Sequence, residues 1–410
     1  MKTKILIFAD WYLPGFKAGG LITALSNLVD AIGDTFDLYI FTRDRDLTDR
    51  QPYFNIRQAE WQTLGRASIL YTSDLSLRHI RKRIFEIMPD IIYLNSFFSV
   101  LTVKTLCLRK FDLLPPCAVV LAPRGELSPG ALAVKIVKKN LYKNFALRIG
   151  LYHGLVWQAA SSREAQQITV ALHLSGCTQP SIRVASDLFS RDWLRATSQP
   201  PKSPKAPGAR FLCVSRISPV KNLLFALETL RGLEGPVEFD IFGPIDDPKY
   251  WQECQNRMKT LPSNVVVRYS GLVPRARVPQ IALQYDFFLL PTQSESFGFA
   301  ILEALAAGCP VVLSDQTLWQ DLAEKGAGWV LPLATVTSGG APCRNVWRWA
   351  APPTSSCRNA PANLSKTGLH PPPSAKKRSN FSTLHSTVGA IRRRNLFARI
   401  CPSRSLSRSL

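Results

Sequence analysis

Residues 287–313 read FFLLPTQSESFGFAILEALAAGCPVVL, which is a strand pattern, a helix pattern and a second strand pattern in succession. The run at 287–290 is apolar throughout, as expected of a strand buried on both faces of a parallel sheet. Apolar residues at helical spacing follow over 299–307, and residues 310–313 predict the next strand. A helix between two buried strands indicates a right-handed crossover, so this stretch predicts a parallel α/β sheet.

The same alternation continues on both sides of this block. Residues 198–208 interrupt it with four prolines, which restrict the backbone and remove hydrogen-bond donors, so they predict a linker. We therefore expect two doubly wound, Rossmann-like domains, 1–197 and 209–333, that face a cleft. The further strands are predicted over 5–9, 38–41, 68–71, 91–94, 118–121, 211–215, 237–242, 265–269 and 328–331, and further helices over 21–32 and 220–230.

Basic residues are concentrated at the end of the chain. The formal net charge is +22, and no Asp or Glu follows Glu324. Thirteen Lys and Arg lie within 335–410, which leaves +9 for the rest. Periodicity is also lost there, so we predict that 334–410 is a basic, disordered tail. A frameshifted reading is one hypothesis for so foreign a segment; it would leave the second domain truncated and the protein's function in doubt.

The cysteine pattern and the length of the apolar runs bear on localisation. The nine cysteines form no CxxC pair, which favours reduced thiols in a cytoplasmic protein over a disulfide framework or a zinc site. No apolar run reaches the roughly 18 residues that a membrane-spanning helix needs. We expect a cytoplasmic protein, and association with the inner face of the plasma membrane is a further hypothesis.

Glu295 and Glu303 are the first candidate site residues. Glu295 lies in the loop after the strand at 287–290, and Glu303 lies about one and a half turns into the following helix. Gly298 permits a ligand to approach the backbone, and the free N–H groups of a helix start suit phosphate or sugar oxygens. Two carboxylates so placed can accept hydrogen bonds from several hydroxyls of one ligand. The alternative, an acid favoured by the helix dipole plus a surface glutamate, stays open.

Two more strand ends carry groups that suit anions. Arg216 and Lys221 lie five residues apart after the strand at 211–215, where guanidinium and ammonium groups can bind a diphosphate. Gly19 and Gly20 lie between the first strand and the first helix, where the backbone can approach an anion. Taken alone, the segment with Arg216 and Lys221 is better explained as a solvated loop with two ordinary basic residues. The glycine segment is equally compatible with a plain loop.

Arg124, Gly125 and Glu126 follow the strand at 118–121, and several lysines follow them, among them Lys138 and Lys139. These lysines could contact anionic lipid head groups or a lipid diphosphate. The alternative is a solvated helix face, which is the more common role of a charge run.

Together these segments resemble the retaining glycosyltransferases of family 4, which have the GT-B fold. Glu295 and Glu303 match the family's E-x7-E motif, Arg216 and Lys221 match its basic pair, and Gly19-Gly20 matches its glycine loop. The resemblance covers about residues 1–333. The segment around Arg124 resembles members that build exopolysaccharide or lipopolysaccharide.

The resemblance implies a nucleoside-diphosphate sugar as donor, no cofactor and no metal. It implies that Arg216, Lys221 and Glu295 form the catalytic set, the cations stabilising the departing diphosphate and Glu295 holding the donor sugar. Glu303 would bind the ribose. The remaining donor-binding positions would be Ser296, Phe297, Gly298, Phe299, Gly19 and Gly20, and the acceptor side would hold Arg124, Glu126, Lys138 and Lys139.

The sequence therefore predicts a hexosyltransferase of polysaccharide biosynthesis that acts on a glycan or lipid-linked acceptor, with peripheral contact to an anionic membrane and no specific nucleic acid partner. Two alternatives remain open. One is a catalytically inactive homologue that binds a sugar nucleotide. The other is a protein that binds nucleic acid through its basic tail.

Overall fold

The computed structural model describes residues 2–134, 136–173, 180–189 and 208–333. They form two compact units, which divide after Phe189. Most of the predicted linker and the whole predicted tail, 334–410, lie outside the described residues. In the parts that are described, no helix combines the length and the apolar character needed to cross a membrane.

The first unit is built on an eight-stranded sheet with the order β3-β4-β2-β1-β5-β6-β7-β8. Its strands are parallel except for β3, which runs antiparallel to β4 at the edge. The strands are β1 Lys4–Ala9, β2 Asp37–Arg43, β3 Trp61–Leu64, β4 Ala67–Thr72, β5 Ile91–Asn95, β6 Ala118–Ala122, β7 Val156–Ala159 and β8 Ser181–Val184. The helices are α1 Gly20–Ile32, α2 Leu77–Ile87, α3 Val100–Lys110, α4 Pro129–Ala133, α5 Ile136–Arg148 and α6 Ser162–His173.

Both faces of this sheet are buried, as the continuous apolar runs predict. Leu6 and Phe8 of β1 belong to one core cluster, and Ile5 and Ile7 belong to another. Successive side chains of a strand point to opposite faces, so the two clusters are the two layers between sheet and helices. This is the layering of a doubly wound α/β domain.

The second unit has a six-stranded, fully parallel sheet with the order β11-β10-β9-β12-β13-β14. Numbered within the unit this is 3-2-1-4-5-6, the strand order of dinucleotide-binding domains. The strands are β9 Ala209–Val214, β10 Val237–Phe242, β11 Val265–Tyr269, β12 Phe287–Leu290, β13 Val311–Ser314 and β14 Gly328–Leu331. The helices are α7 Leu223–Arg231, α8 Pro248–Met258, α9 Val278–Ala282 and α10 Phe299–Ala306, with 3₁₀ turns at Pro219–Lys221 and Arg275–Arg277.

The predicted helix over 220–230 is wrong at its start. Residues Pro219–Lys221 form a 3₁₀ turn, and α7 begins only at Leu223. Asn222 has a φ of 58° between the two, a left-handed conformation that a continuous α-helix does not contain. Lys221 therefore lies on a separate short turn rather than on the helix.

Candidate functional site

The site in the second unit lies where the order of strands reverses. β9 is the first strand of the unit, and its neighbours β10 and β12 lead away to opposite sides of the sheet. Loops that leave the carboxyl ends of the two strands beside such a point diverge and leave a crevice. Arg216 and Lys221 follow β9, and Glu295 follows β12. The topology therefore brings the predicted basic pair and the first predicted acid to one crevice.

A single carbonyl oxygen joins these two loops. The Val220 oxygen accepts hydrogen bonds from the Thr292 hydroxyl at 3.0 Å and from the Gln293 backbone N–H at 2.7 Å. Thr292 is fully buried, so its hydroxyl needs such a partner. The segment that carries Lys221 is thereby attached to the segment that carries Glu295.

Lys221 and Glu295 form an ion pair in this crevice. The Lys221 Nζ lies 2.5 Å from the Glu295 Oε2, and the two side chains are 16% and 15% exposed. A charge-assisted hydrogen bond with so little exposure to water fixes the position of both groups. A ligand in the crevice meets an ammonium and a carboxylate side by side.

Arg216 lies at the more open edge of the same loop. Its Nη1 donates to the Asp246 Oδ2 at 2.9 Å, and its side chain is 42% exposed. Asp246 is held in turn by its backbone N–H, which donates to the Ile217 carbonyl. An exposed pair of this kind contributes little to stability, so Arg216 can exchange its partner for an anionic ligand at small cost.

The loop before α10 is shaped by glycine and by aromatic contacts. Gly298 precedes α10 with a φ of 86°, in the left-handed region. The rings of Phe297 and Phe299 lie 4.6 Å apart between centroids. The Trp319 indole N–H donates to the Phe297 carbonyl at 2.9 Å. Ser296, between Glu295 and this pair, is half-buried. The predicted donor-binding loop is therefore held by a ring contact within it and by a hydrogen bond from Trp319.

Gly298→Ala is expected to lower the free energy of unfolding by more than about 2 kcal/mol. The left-handed backbone alone costs a non-glycine residue about 1–2 kcal/mol. A Cβ at 298 would also lie 2.6 Å from the Ile301 Cδ1 and 3.2 Å from the Glu295 Cγ.

Gly235→Ala is the matched control for Gly298→Ala, because Gly235 has a φ of 80° and nothing lies within 4 Å of its added Cβ. Urea unfolding of both variants separates crowding from backbone strain. If the free energy of unfolding fell equally in the two variants, the loop around Gly298 would accommodate the added Cβ without a further energetic penalty and would not be tightly packed.

Glu303 is almost fully buried on α10 and paired with a cation that the sequence did not indicate. It is 4% exposed, and its Oε1 accepts a hydrogen bond from the Arg275 Nε at 2.7 Å. Burial raises the pKa of Glu303 to about 7, and the charge of Arg275 opposes that rise. The Arg275 guanidinium also lies 5.4 Å from the centroid of the Phe299 ring. Glu303 therefore titrates near neutral pH, and the charge of Arg275 favours its ionised form.

Three residues of this site were missed by the sequence analysis: Asp246, Arg275 and Trp319. Each follows a different strand of the unit, namely β10, β11 and β13. The available signal was position, because polar residues just after the strands of a parallel sheet gather at one edge. Their partners lie between 22 and 30 residues away in sequence, so no local motif contains them.

In the first unit, Gly19 and Gly20 lie where predicted, after β1 and at the start of α1. Gly19 has a φ of 62°, and an added Cβ there would meet nothing within 4 Å. The preceding loop is ordered by Asp46, whose Oδ2 accepts the backbone N–H groups of Phe16 at 2.7 Å and Lys17 at 3.1 Å. The glycine loop is therefore open at its tip and anchored at its base.

Arg124 and Glu126 face inward. Arg124 donates to the Asn95 Oδ1 at 3.2 Å and forms an ion pair with Asp187, with 12% of its side chain exposed. Glu126 accepts from the Ser96 hydroxyl and from two backbone N–H groups, and burial raises its pKa. Both residues hold loops at the carboxyl edge of the sheet, and their contact with an acceptor stays a prediction.

The predicted basic run on α5 divides between two faces. Lys138 is exposed. Lys139 donates to the Ala131 carbonyl at 2.6 Å and lies over the Phe98 ring. Lys143 is 5% exposed, and burial lowers its pKa. Only part of the run is therefore placed to meet a surface outside the unit.

Comparison with known proteins agrees with this description of the second unit. Residues 196–335 match the family model described as glycosyl transferases group 1. A search of curated proteins gives no match to the sequence.

Solved structures match most of the chain. HepE of Anabaena, solved with UDP and glucose, shares 16% identity over 80% of this chain and 86% of its own, with a TM-score of 0.55. Sucrose-phosphate synthase of Thermosynechococcus elongatus shares 13% over 85% and 91%, with a TM-score of 0.61. The lipopolysaccharide outer core galactosyltransferase WaaB shares 19% over 85% and 92%, with a TM-score of 0.54. The chain has the GT-B fold, as the sequence predicted.

Proposed function

We propose that this protein is a retaining glycosyltransferase that moves a hexose from a nucleoside-diphosphate sugar to a glycan or lipid-linked acceptor in polysaccharide biosynthesis. The observation that carries the proposal is the Lys221–Glu295 pair at the strand reversal of the second unit. The match of residues 196–335 to the glycosyl transferases group 1 model supports it. HepE, which has the same fold, was solved with UDP-glucose.

The cations have the central chemical role in this proposal. Transfer breaks the bond between the anomeric carbon and the diphosphate, so negative charge grows on the diphosphate oxygens. Lys221 and Arg216 stabilise that charge, and their effect is large because Lys221 is shielded from water. A diphosphate leaves as an anion and needs no proton from the protein. We propose that the two cations suffice without a metal or a cofactor.

The acids and the helix start orient the donor. Glu295 accepts hydroxyls of the sugar while it keeps Lys221 in place. The backbone at residues 296–299 offers N–H groups at the start of α10. Glu303 accepts the ribose hydroxyls, because each carboxylate oxygen can accept more than one hydrogen bond and Arg275 Nε uses only part of the capacity of Oε1.

The first unit has the acceptor role in this proposal. Gly19 and Gly20 form the open loop after β1, and Arg124 and Glu126 follow β6 at the same edge of that unit's sheet. In this proposal Lys138 and Lys139 of α5 belong to the same acceptor side. We propose that the protein works in the cytoplasm, where nucleotide sugars are its substrates.

Thermal shift against a panel of nucleotide sugars tests the proposal, since a ligand that binds the folded state raises Tm. At least one donor is expected to raise Tm, and Glu303→Ala is expected to abolish the rise. Glu253→Ala, which removes an exposed acid of α8, is the matched control and should keep it.

Three outcomes contradict parts of the proposal. If a folded sample responds to no nucleotide sugar, it is not a glycosyltransferase of this kind. Binding without any transfer or hydrolysis of the donor identifies an inactive homologue. Salt-dependent retention on DNA in the absence of donor binding favours a nucleic-acid-binding protein.

A further inference from the structure

Helix α5 carries an apolar stripe on its outward face. Val137, Leu141 and Phe145 are 78%, 72% and 62% exposed. They are four residues apart, so they lie beside one another along one side of the helix. Ile149, which follows the helix and is 39% exposed, continues the stripe at its carboxyl end.

Folding of the unit does not account for this stripe. The opposite face of α5 already packs on the core through Ala146, with Tyr142 and Leu147 partly buried against it. A surface helix normally has polar residues on the face that remains in solvent. A contiguous row of exposed apolar side chains instead marks a surface that binds something.

The charged side chains of α5 and of the chain segments that flank it are all of one sign. No Asp or Glu occurs between Glu126 and Glu164. At about 100° per residue, Arg148 falls between Val137 and Leu141, and Lys138 falls beside Phe145. Both basic residues are exposed. The outward face of α5 therefore combines apolar side chains with cations on the same arc.

We propose that α5 is a membrane-contact surface that binds the headgroup region of an anionic lipid bilayer. The helix lies parallel to the bilayer, with Val137, Leu141 and Phe145 in the boundary between headgroups and acyl chains. Lys138 and Arg148 contact lipid phosphates. A protein partner would not require this charge pattern, whereas an anionic bilayer satisfies both the apolar and the basic residues. The inference does not depend on the proposed glycosyl transfer.

Co-sedimentation of the full chain with vesicles tests the apolar part. The vesicles contain phosphatidylcholine with and without phosphatidylglycerol. Leu141→Ser/Phe145→Ser is expected to lower the partition coefficient on anionic vesicles by roughly tenfold or more. Leu64→Ser/Phe54→Ser is the matched control, because it removes the same two residue types from exposed sites elsewhere in the unit. That control should bind like the wild type.

Charge reversal tests the basic part. Lys138→Glu/Arg148→Glu is expected to weaken binding at least as much as the serine variant. Lys249→Glu/Lys259→Glu changes the net charge of the chain equally at exposed sites of the second unit. The co-sedimentation is then repeated at about 0.5 M salt, which screens purely electrostatic binding, including any by the basic tail. The difference in vesicle binding between Leu141→Ser/Phe145→Ser and its control should remain.

Two results would overturn the proposal. One is that the α5 variants and their controls bind anionic vesicles equally, or that none of them binds. The other is that the wild type is a dimer in solution, that Leu141→Ser/Phe145→Ser makes it a monomer, and that vesicle binding is unchanged. In that case a second copy of the chain covers the stripe. Circular dichroism of each variant establishes that the fold is intact.

Discussion

Lys221→Ala is expected to lower kcat for sugar transfer by about 10²–10³-fold, the usual effect of removing one group that stabilises charge developing in a transition state. The loss should be large because Lys221 is only 16% exposed and solvent cannot replace its charge. The substitution also leaves Glu295 next to the diphosphate without its counter-ion, which adds repulsion. Steady-state rates with the donor found by thermal shift measure this effect.

The matched control for Lys221→Ala is Lys249→Ala, which removes an equal charge from the exposed surface of α8. It should keep the wild-type rate. If Lys221→Ala raised KM and left kcat unchanged, the ammonium would bind ground state and transition state equally, and its catalytic role would be excluded. Lys221→Arg should recover part of the rate, because it restores the charge in a different shape.

The affinity for a sugar-nucleotide donor is expected to rise with pH up to about 7 and then to level off, because Glu303 accepts hydroxyls best when ionised and its pKa is about 7. Below that pH, affinity should fall by up to about tenfold per pH unit. A nucleoside-diphosphate sugar keeps its charge over this range, so the titration belongs to the protein. Calorimetry from pH 5.5 to about 9 follows it.

Arg275→Ala is expected to move this pH dependence upward. The Arg275 charge lowers the pKa of Glu303, so its removal lets burial raise that pKa further. The variant should bind poorly at pH 7 and recover as the pH rises. Arg277→Ala, which removes an exposed arginine two residues away, should leave the profile unchanged. An unchanged profile in Arg275→Ala would show that this arginine does not control the charge of Glu303.

The same carboxyl links stability to pH. Its pKa in the folded protein lies above the ordinary value of 4.5, so it stabilises the fold below pH 4.5 and that contribution is lost as the pH rises through about 7. Glu303→Gln should therefore raise the free energy of unfolding at pH 8, by up to about 3 kcal/mol, while it abolishes donor binding. Urea unfolding at pH 5 and pH 8 measures this; a variant less stable than the wild type at pH 8 would contradict it.

The elements that the sequence predicted are those with continuous apolar runs. Phe287–Leu290 has the predicted bounds, and Ile91–Asn95 extends the predicted run by one residue. By contrast, Trp61–Leu64 and Ser181–Val184 were not predicted as strands. Their residues are exposed or half-buried at the two edges of the first sheet. Because these positions are not buried, they do not require apolar side chains, and the sequence shows no apolar run there.

The sequence predicted where the site residues lie, but not which side chains they pair with. Strand ends indicated where Lys221, Glu295 and Glu303 would lie, because their loops leave the same edge of one sheet. The sequence could not indicate that Arg275 pairs with Glu303, since the two residues lie 28 positions apart, on a 3₁₀ turn and on a helix. Nor could it show that Arg124 turns inward, because Asp187, its partner, lies 63 residues away.

The shared Val220 oxygen has a consequence for ligand affinity. Thr292 and Gln293 both donate to it, so the spacing between the loops of Lys221 and Glu295 is held by the main chain and one buried hydroxyl. Because these hydrogen bonds fix the two loops before a ligand binds, the loops lose little conformational entropy on binding. Discrimination among sugars then comes from fixed geometry, and loosening this junction should broaden the range of accepted donors.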